Sequence, residues 1–267
     1  MNRLCSPLQE RIALLLIALL PALPLSPAGA EERRILDLTH AFDETTIYWP
    51  TSKSFHLDEV HKGPTGKGYW YESNDISASE HGGTHLDAPA HFFQGSWHVD
   101  DIPLDRLMAP GIVVDVAAKA KKNPDYLIQV SDFLDWESRH GRIAPGRIVL
   151  VRTGWEDRWP DKKRYLGTDQ PGDVEHLSFP GFSEAAAKFL AKERGVAAVG
   201  LDTPSLDHGP SKDFLAHRVF GKANVPGFEN VCQLKDLPPS GFRVIALPMK
   251  IGQGSGAPLR IIAELGP

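Results

Sequence analysis

Cysteine is scarce in this sequence, which contains only Cys5 and Cys232 among its 267 residues. Cys5 lies in an N-terminal segment that we expect to be removed, so one thiol would remain. A single thiol cannot form an internal disulfide, and a closed structural zinc site usually needs several clustered cysteines. The apolar neighbours Val231 and Leu234 favour a buried thiol for Cys232 over a nucleophile.

Other features are also missing, and each excludes a class of function. Positive charge is not in excess, because 29 Lys and Arg face 34 Asp and Glu, and this argues against a nucleic-acid partner. No Gly-x-Ser-x-Gly segment is present, so the nucleophile elbow of serine hydrolases is excluded. The glycine-rich segment 252–256 lacks the following Lys-Ser/Thr of a phosphate-binding loop. Covalent catalysis therefore has no obvious nucleophile.

The N-terminus has the pattern of a secretory signal peptide. Arg3 and Arg11 provide positive charge, residues 12–20 form an unbroken apolar run, and the small residues 28–30 form a cleavage site. We expect cleavage after Ala30, with export to the periplasm or the exterior and no membrane association afterwards. The alternative is an uncleaved anchor, but the run is shorter than the ~20 residues that a spanning helix needs.

Residues 81–92 concentrate three histidines and one carboxylate in the sequence HGGTHLDAPAHF. His85, Asp87 and His91 share parity, so an extended backbone would direct them to one side. The two glycines and the proline of the run disfavour a helix and predict a turn, a short strand and a loop carrying His91. Imidazole and carboxylate together suit zinc, iron or manganese. The run therefore predicts a metal site.

The same run resembles the H-x-G-T-H-x-D-x-P-x-H-F signature of the metal-dependent cyclase family, which includes bacterial kynurenine formamidases and isatin hydrolases. The match within the motif is complete, and weaker similarity extends from Asp37 to the C-terminal strand. The resemblance implies one α/β domain over residues 31–267, with a swivelling β/β/α-type fold and a mixed sheet. It also implies a homodimer or a higher homo-oligomer.

The resemblance further implies the ligands of a divalent metal, either Zn²⁺, as one or two ions, or Mn²⁺. In this pattern His81, His85 and Asp87 hold the first ion. Asp87 and Glu229 bridge to a second ion, which His217 also binds.

Three further site roles are implied or left open. The resemblance implies that His91 stays off the metal and transfers protons, which suits an imidazole with an ordinary pKa of ~6.5. It also implies that Trp49 forms an aromatic wall of the substrate pocket, although Thr51-Ser52 replaces the family's usual Gly-Asp after the Trp-Pro pair. Asp207 and His208 are alternative site residues.

The implied reaction is hydrolysis of the C–N bond of a small aromatic amide. Two substrates remain open, because N-formylkynurenine, an intermediate of tryptophan catabolism, and isatin both place a carbonyl on an aniline nitrogen. The first would make the protein an arylformamidase and the second an isatin hydrolase. A rival from another class is an extracytoplasmic metal-binding module without catalysis. That rival explains the ligands but gives no reason for an unliganded His91 or for Trp49.

The remaining pattern predicts strands that alternate with helices, which is typical of an α/β sheet. Apolar runs rich in β-branched residues predict buried strands at residues 112–116, 147–151 and 196–201. Serine N-caps predict three helices: Ser131 before 132–140, Ser183 before 184–194 and Ser211 before 212–220. The aromatic triplet 69–71 predicts a strand whose rings serve packing.

Overall fold

The computed structural model describes residues 34–266, and the predicted signal peptide lies outside them. Within residues 34–266, no helix combines the length and the apolar composition that crossing a bilayer would require. The strands are β1 (Arg34–Asp37), β2 (His56–Pro64), β3 (Trp70–Ser77), β4 (His85–Asp87), β5 (Met108–Asp115), β6 (Leu127–Ile128), β7 (Ile148–Arg152), β8 (Gly181–Phe182), β9 (Ala198–Leu201), β10 (Gly227–Glu229), β11 (Phe242–Pro248) and β12 (Gly256–Leu265). The α-helices are α1 (Leu104–Leu107), α2 (Ala117–Ala120), α3 (Val130–His140), α4 (Lys162–Leu166), α5 (Glu184–Lys188) and α6 (Leu215–Lys222).

The long strand β12 closes the main sheet into a barrel. One edge of β12 pairs with β11, and the other edge pairs with β1 at its C-terminal end and with β4 at its N-terminal end. The ring therefore runs β12-β11-β5-β7-β9-β10-β4 and returns to β12. Strands β5, β7, β9 and β10 are parallel, and the other pairs are antiparallel. The expected α/β domain with a mixed sheet of the swivelling β/β/α type is confirmed.

Strand β7 shows how the sequence divides the core. Its residues from Ile148 to Val151 are fully buried, as the unbroken apolar run predicts. Ile148 and Leu150 pack inside the barrel, where every strand of the ring contributes a buried side chain. Val149 and Val151 face outwards and pack against α3, α5 and α6. Because successive side chains of a strand point to opposite faces, this one strand contributes both to the core inside the barrel and to the core between the barrel and the helices.

Two of the three predicted helices begin at other residues than expected. Helix α3 begins at Val130 rather than after Ser131, because the Asp132 carboxylate accepts the N–H of Gln129 at 2.7 Å and makes that residue the N-cap. Helix α6 begins at Leu215, three residues after the expected start. There the Ser211 hydroxyl accepts the N–H of Phe214 at 3.2 Å and closes a turn before the helix.

The third helix matches its prediction. Ser183 accepts the N–H of Ala186 and caps α5, which continues as a π-helix over Phe189–Arg194 and ends at Gly195 in a left-handed conformation. The whole helical segment therefore covers the expected residues 184–194, although its second half is wound more loosely than an α-helix.

Strands β2 and β3 form a separate two-stranded hairpin. The strand predicted from the aromatic triplet is present, but the rings that were expected to pack are exposed: Tyr69, Trp70 and Tyr71, with Trp70 exposed by 62%. The paired Leu57 and Ile76 are exposed as well. A two-stranded hairpin on its own is marginally stable and usually packs its apolar side chains against another element. Among the described residues, these side chains of the hairpin remain exposed instead.

Candidate metal centre

The centre lies where β4 pairs with β10. His85 and Asp87 are two residues apart on β4 and therefore point to the same face. The antiparallel register places Glu229 of β10 directly opposite His85. Helix α6 brings His217 to the same face, and the turn before β4 brings His81. His81 is partly buried and the other four side chains are buried, so the fold assembles all five predicted ligands in one place.

The distances divide these side chains into two groups that share Asp87. Asp87 Oδ1 lies 2.7 Å from His81 Nδ1 and 3.1 Å from His85 Nε2. Asp87 Oδ2 lies 3.0 Å from His217 Nε2, which is 3.2 Å from Glu229 Oε1. Within each group, His81-His85-Asp87 and Asp87-His217-Glu229, one potential ligand atom per residue lies within 4.8 Å of the others. The two groups correspond to the two sets of ligands that the family resemblance implies.

The outer ring nitrogens of two of the histidines donate to groups that can only accept. His85 Nδ1 donates to the Gly83 carbonyl at 2.9 Å, and His217 Nδ1 donates to Asp207 Oδ2 at 2.6 Å. These contacts fix a proton on each outer nitrogen, and in the neutral ring the inner Nε2 then carries a lone pair. Asp207, an alternative site residue in the sequence, therefore orients His217. His208 belongs to neither donor group among the described residues.

The donor set fits a divalent cation. His85 Nε2 is buried without a hydrogen-bond partner among the described residues, although it lies 3.1 Å from Asp87 Oδ1 and 3.4 Å from Glu229 Oε2. A lone pair facing carboxylate oxygens at this distance needs a positive charge between them. A metal ion supplies that charge, and nitrogen with carboxylate oxygen is a donor set that zinc and manganese accept.

The pKa shifts show that the cluster favours positive charge. Burial by itself would lower the pKa of His85, but Asp87 and Glu229 outweigh it and raise this pKa to about 8. Burial is likewise overcome at His217, where Asp207, Asp87 and Glu229 raise the pKa well above its usual value. At Asp87 the neighbouring histidines outweigh burial and hold the pKa well below its usual value. Asp87 thus remains a strong ligand for a cation, whereas burial and the neighbouring Asp87 raise the pKa of Glu229.

His91 lies beside the cluster and outside both donor groups. It ends a single 3₁₀ turn, Pro89–His91, and its ring stacks on His81 with centroids 3.8 Å apart. The side chain is accessible to solvent, and within the described residues no hydrogen bond engages its ring nitrogens. Desolvation by the surrounding protein lowers its pKa to about 3, so the ring is neutral. The fold therefore presents an unengaged imidazole beside the centre.

A pocket of about 250 Å³ opens over the centre. Trp49 lines it, with its ring 6.4 Å from Phe214 and 6.3 Å from Phe179. Phe92 and Phe214 also line the pocket and face one another at 5.1 Å. Sequence reasoning placed Trp49 at the wall but missed the two phenylalanines, although Phe92 directly follows His91. The walls suit a flat aromatic ring.

Further buried residues support the turn that precedes β4. Asn230 Nδ2 donates to the Gly83 carbonyl at 2.6 Å, and its Oδ1 lies 2.8 Å from the Tyr165 hydroxyl. The Thr84 hydroxyl donates to the Asn230 carbonyl at 2.7 Å. Thr84 belongs to the motif, but nothing in the sequence singles out Asn230 or Tyr165, because only the fold brings them to the turn.

Comparison with known proteins agrees with this arrangement. A family model described as a putative cyclase matches residues 36–208. The chain belongs to the cyclase family. This cyclase-family chain is 31% identical to an isatin hydrolase from Roseibium aggregatum over 215 residues, covering 77% of this chain and 80% of the relative. It is 29% identical to a kynurenine formamidase from Salinibacter ruber over 242 residues, covering 87% and 98%. The structure of isatin hydrolase A from Ralstonia solanacearum matches it with a TM-score of 0.79 and 32% identity, covering 88% of this chain and 92% of that one.

Proposed function

We propose that this protein is a metal-dependent hydrolase that cleaves the bond between carbonyl carbon and nitrogen in small aryl amides. The observation that carries the proposal is the convergence of three imidazoles on the Asp87 carboxylate, with Glu229 close to two of them and the unengaged ring of His91 beside them. The similarity to isatin hydrolase and kynurenine formamidase supports the same reaction class.

The proposed ligands follow the two donor groups. His81, His85 and Asp87 would hold one ion, and Asp87, His217 and Glu229 would hold a second. We assign zinc, as one or two ions, or manganese. When bound, such an ion supplies Lewis acidity, which polarises a carbonyl oxygen and makes water acidic enough to yield hydroxide near neutral pH.

His91 is the proposed proton carrier. Its neutral ring can take a proton from the attacking water and return it to the nitrogen of the scissile bond. The second transfer is needed because an amide anion is a poor leaving group. The ring is free for this work, since no hydrogen bond within the described chain engages its nitrogens and its stacking on His81 keeps it beside the centre. Proton transfer of this kind contributes about 10²–10⁴-fold to the rate.

The proposed substrate-binding walls are aromatic. Trp49, Phe92 and Phe214 line the pocket above the ligands, so the aryl ring of the substrate would pack between them while its carbonyl faces the centre. These residues would also exclude water from around the scissile bond.

Two substrates carry the required bond. N-formylkynurenine has an open formamide on an aniline nitrogen, and the kynurenine formamidase relative, which covers 87% of this chain, supports it. Isatin holds the same bond in a ring and opens to isatinate, and the isatin hydrolases at 31% and 32% identity support it. The same residues serve both reactions.

The experiment is to purify the protein with and without added zinc or manganese and to supply both compounds. We expect hydrolysis of at least one, seen as kynurenine or isatinate, and loss of that activity with chelator and in Asp87→Ala. A protein that binds metal but hydrolyses neither compound would support the alternative of a metal-binding module. A protein that binds no metal would overturn the proposal.

We also propose that residues 1–30 are a signal peptide cut after Ala30, which leaves residues 31–267 as the mature hydrolase domain in the periplasm or outside the cell, unattached to the membrane. The charged start, the apolar run and the small residues at the cleavage site support this proposal. N-terminal sequencing of protein recovered from the periplasm or medium tests it. Recovery of the uncleaved chain from the membrane fraction would contradict it.

A homodimer or higher homo-oligomer is proposed as well. The hairpin of β2 and β3 supports it, because Trp70, Leu57 and Ile76 are exposed and would be covered by a second copy. Light scattering on the purified protein gives the mass of the assembly. We expect at least twice the chain mass, and a monomer would contradict the proposal.

A further inference from the structure

The glycine-rich segment 252–256 lies directly against the ring of His81. A side chain at Gly256 would place its Cβ 2.4 Å from His81 Cε1, so only glycine permits this approach. Gly256 pairs with Asp87 across β12 and β4, and the carbonyl of Ser255 accepts the N–H of Ala88 at 2.9 Å. The segment is therefore held in place by the strand that carries the ligands.

Ser255 connects His81 to a carboxylate. His81 Nε2 lies 2.9 Å from the Ser255 hydroxyl oxygen, which lies 2.7 Å from Glu80 Oε2. The same Glu80 oxygen accepts the N–H of Ser255 at 3.1 Å. Glu80 and His81 are neighbours in sequence, so their two side chains and the Ser255 hydroxyl form one hydrogen-bonded network that holds the segment.

The count of protons fixes the direction of these hydrogen bonds. The Ser255 hydroxyl has a single proton, and the 2.7 Å contact with the Glu80 carboxylate requires it, because two oxygens without a proton between them would repel. The serine oxygen then accepts, and His81 Nε2 must donate to it. This leaves Nδ1 of the neutral His81 ring with a lone pair 2.7 Å from Asp87 Oδ1, so these two atoms need a cation that both can bind.

We propose that Ser255 and Glu80 are positioning residues that fix the proton of His81 on Nε2 and present Nδ1 to a divalent cation. The inference rests on the metal site of the proposed function and deepens it. A carboxylate that acts on the far nitrogen of a histidine ligand fixes its tautomer and raises its basicity, and loss of such a partner typically weakens metal binding about 10–100-fold. Here the hydroxyl transmits the effect of the carboxylate.

This hydrogen-bonded network also affects His91, the proposed proton carrier. His91 stacks on the His81 ring at 3.8 Å, with an interplanar angle of 21°. Releasing the His81 ring would therefore also release the surface against which His91 rests. The proposal thus predicts two effects of losing Ser255: weaker metal binding, and a lower kcat even when metal is saturating.

The test compares Ser255→Ala and Glu80→Ala with wild type, and uses Ser255→Thr for rescue and Gln253→Asn as the matched control. Gln253 lies in the same segment with a left-handed backbone that Asn tolerates, and its side chain is exposed. Zinc affinity is measured by chelator competition on metal-free protein whose folding is checked by circular dichroism. We expect the Kd to rise about 10–100-fold in both alanine variants. It should stay near the wild-type value in Ser255→Thr and Gln253→Asn.

A wild-type Kd and kcat in folded Ser255→Ala would overturn the inference while leaving the proposed function intact. Failure of the wild-type protein to bind either zinc or manganese would overturn both. If Ser255→Ala does not fold, ¹⁵N shifts of the His81 ring in the zinc-loaded wild type decide. A proton on Nε2 with the metal on Nδ1 supports the inference, and the opposite tautomer overturns it.

Discussion

The rings of His91 and His81 lie nearly parallel, with centroids 3.8 Å apart and an interplanar angle of 21°. His81 Nδ1 is directed at Asp87, whereas the ring of His91 lines the pocket and its nitrogens make no hydrogen bond within the described residues. Two histidines from one motif thus have different surroundings, and for this reason we propose one as a ligand and the other as a proton carrier.

Replacing His91 with alanine should abolish most of the activity and leave the metal in place. Because His91 belongs to neither donor group, we expect metal content per chain to stay at the wild-type level. We expect kcat to fall about 10²–10⁴-fold. Elemental analysis and steady-state kinetics measure the two quantities on the same preparation.

The matched control for this variant is His61→Ala, which removes an exposed imidazole on the hairpin. It should change neither quantity. If His91→Ala instead lost its metal, His91 would be a ligand and the proposed division of roles would be wrong.

Replacing Asp207 with asparagine should weaken metal binding. The Asp207 carboxylate accepts from the His217 ring at 2.6 Å and from the backbone N–H groups of Ala216 and His217 at 3.0 Å each. A neutral amide holds the imidazole less firmly and lowers its basicity, so we expect the zinc Kd to rise about 10–100-fold. Asp213→Asn makes the same charge change at an exposed site in the same loop and should leave the Kd unchanged. Equal zinc affinity in both variants would show that Asp207 does not contribute to metal binding.

Much of this centre could be predicted from sequence because three of the proposed ligands and the proposed proton carrier lie in one short segment. Residues 81–92 contain them within one turn, strand and loop, so the motif itself encodes their geometry. The residues that orient these ligands could not be found in this way. Ser255 is 174 positions from His81, and Asn230 is 147 positions from Gly83. The sequence does not distinguish such polar residues from others, because only the folded barrel brings them into contact with the ligands and the turn.

The errors in the predicted fold have a similar origin. The start of α6 was displaced because the Ser211 hydroxyl closes a turn at Phe214, and a serine N-cap of a helix looks the same in sequence. The aromatic triplet 69–71 is expected to serve packing because apolar residues usually pack within their own chain. The exposure of Trp70 shows that amphipathic pattern alone does not identify the packing partner.

Replacing Gly83 with alanine should destabilise the protein for two reasons. Gly83 has φ +58°, which costs a residue with a side chain about 1–2 kcal/mol, and its Cβ would lie 2.6 Å from the Phe42 ring. The control Gly195→Ala has nearly the same φ of +61° but only an ordinary contact at 3.8 Å. We expect Gly195→Ala to show the backbone cost alone and Gly83→Ala to lose more stability. Urea unfolding measures the stability of both variants. Equal losses would mean that the Phe42 ring moves aside at no cost in free energy.

Replacing Glu137 with glutamine should lower stability at neutral pH and have less effect in acid. Arg194, which is largely buried, donates to both Glu137 oxygens at 2.6 and 2.8 Å, and these bonds lower the pKa of Glu137. A carboxylate whose folded-state pKa is depressed stabilises the fold above its unfolded pKa of about 4.3. This contribution is lost as the pH falls through the folded-state value. Removing one partner of such a pair costs about 3 kcal/mol, so we expect that loss at pH 7.

The measurement is urea unfolding of wild type and Glu137→Gln at neutral pH and at a pH below both pKa values, where the wild-type carboxylate is protonated. The difference between the two proteins should shrink in acid, because neither then carries a charge opposite Arg194. Glu184→Gln is the control, since the Glu184–Lys188 pair is about half exposed on both sides and such pairs contribute about 0–1 kcal/mol. A loss in Glu137→Gln that is the same at both pH values would show that packing, rather than the charge of the carboxylate, makes Glu137 stabilising.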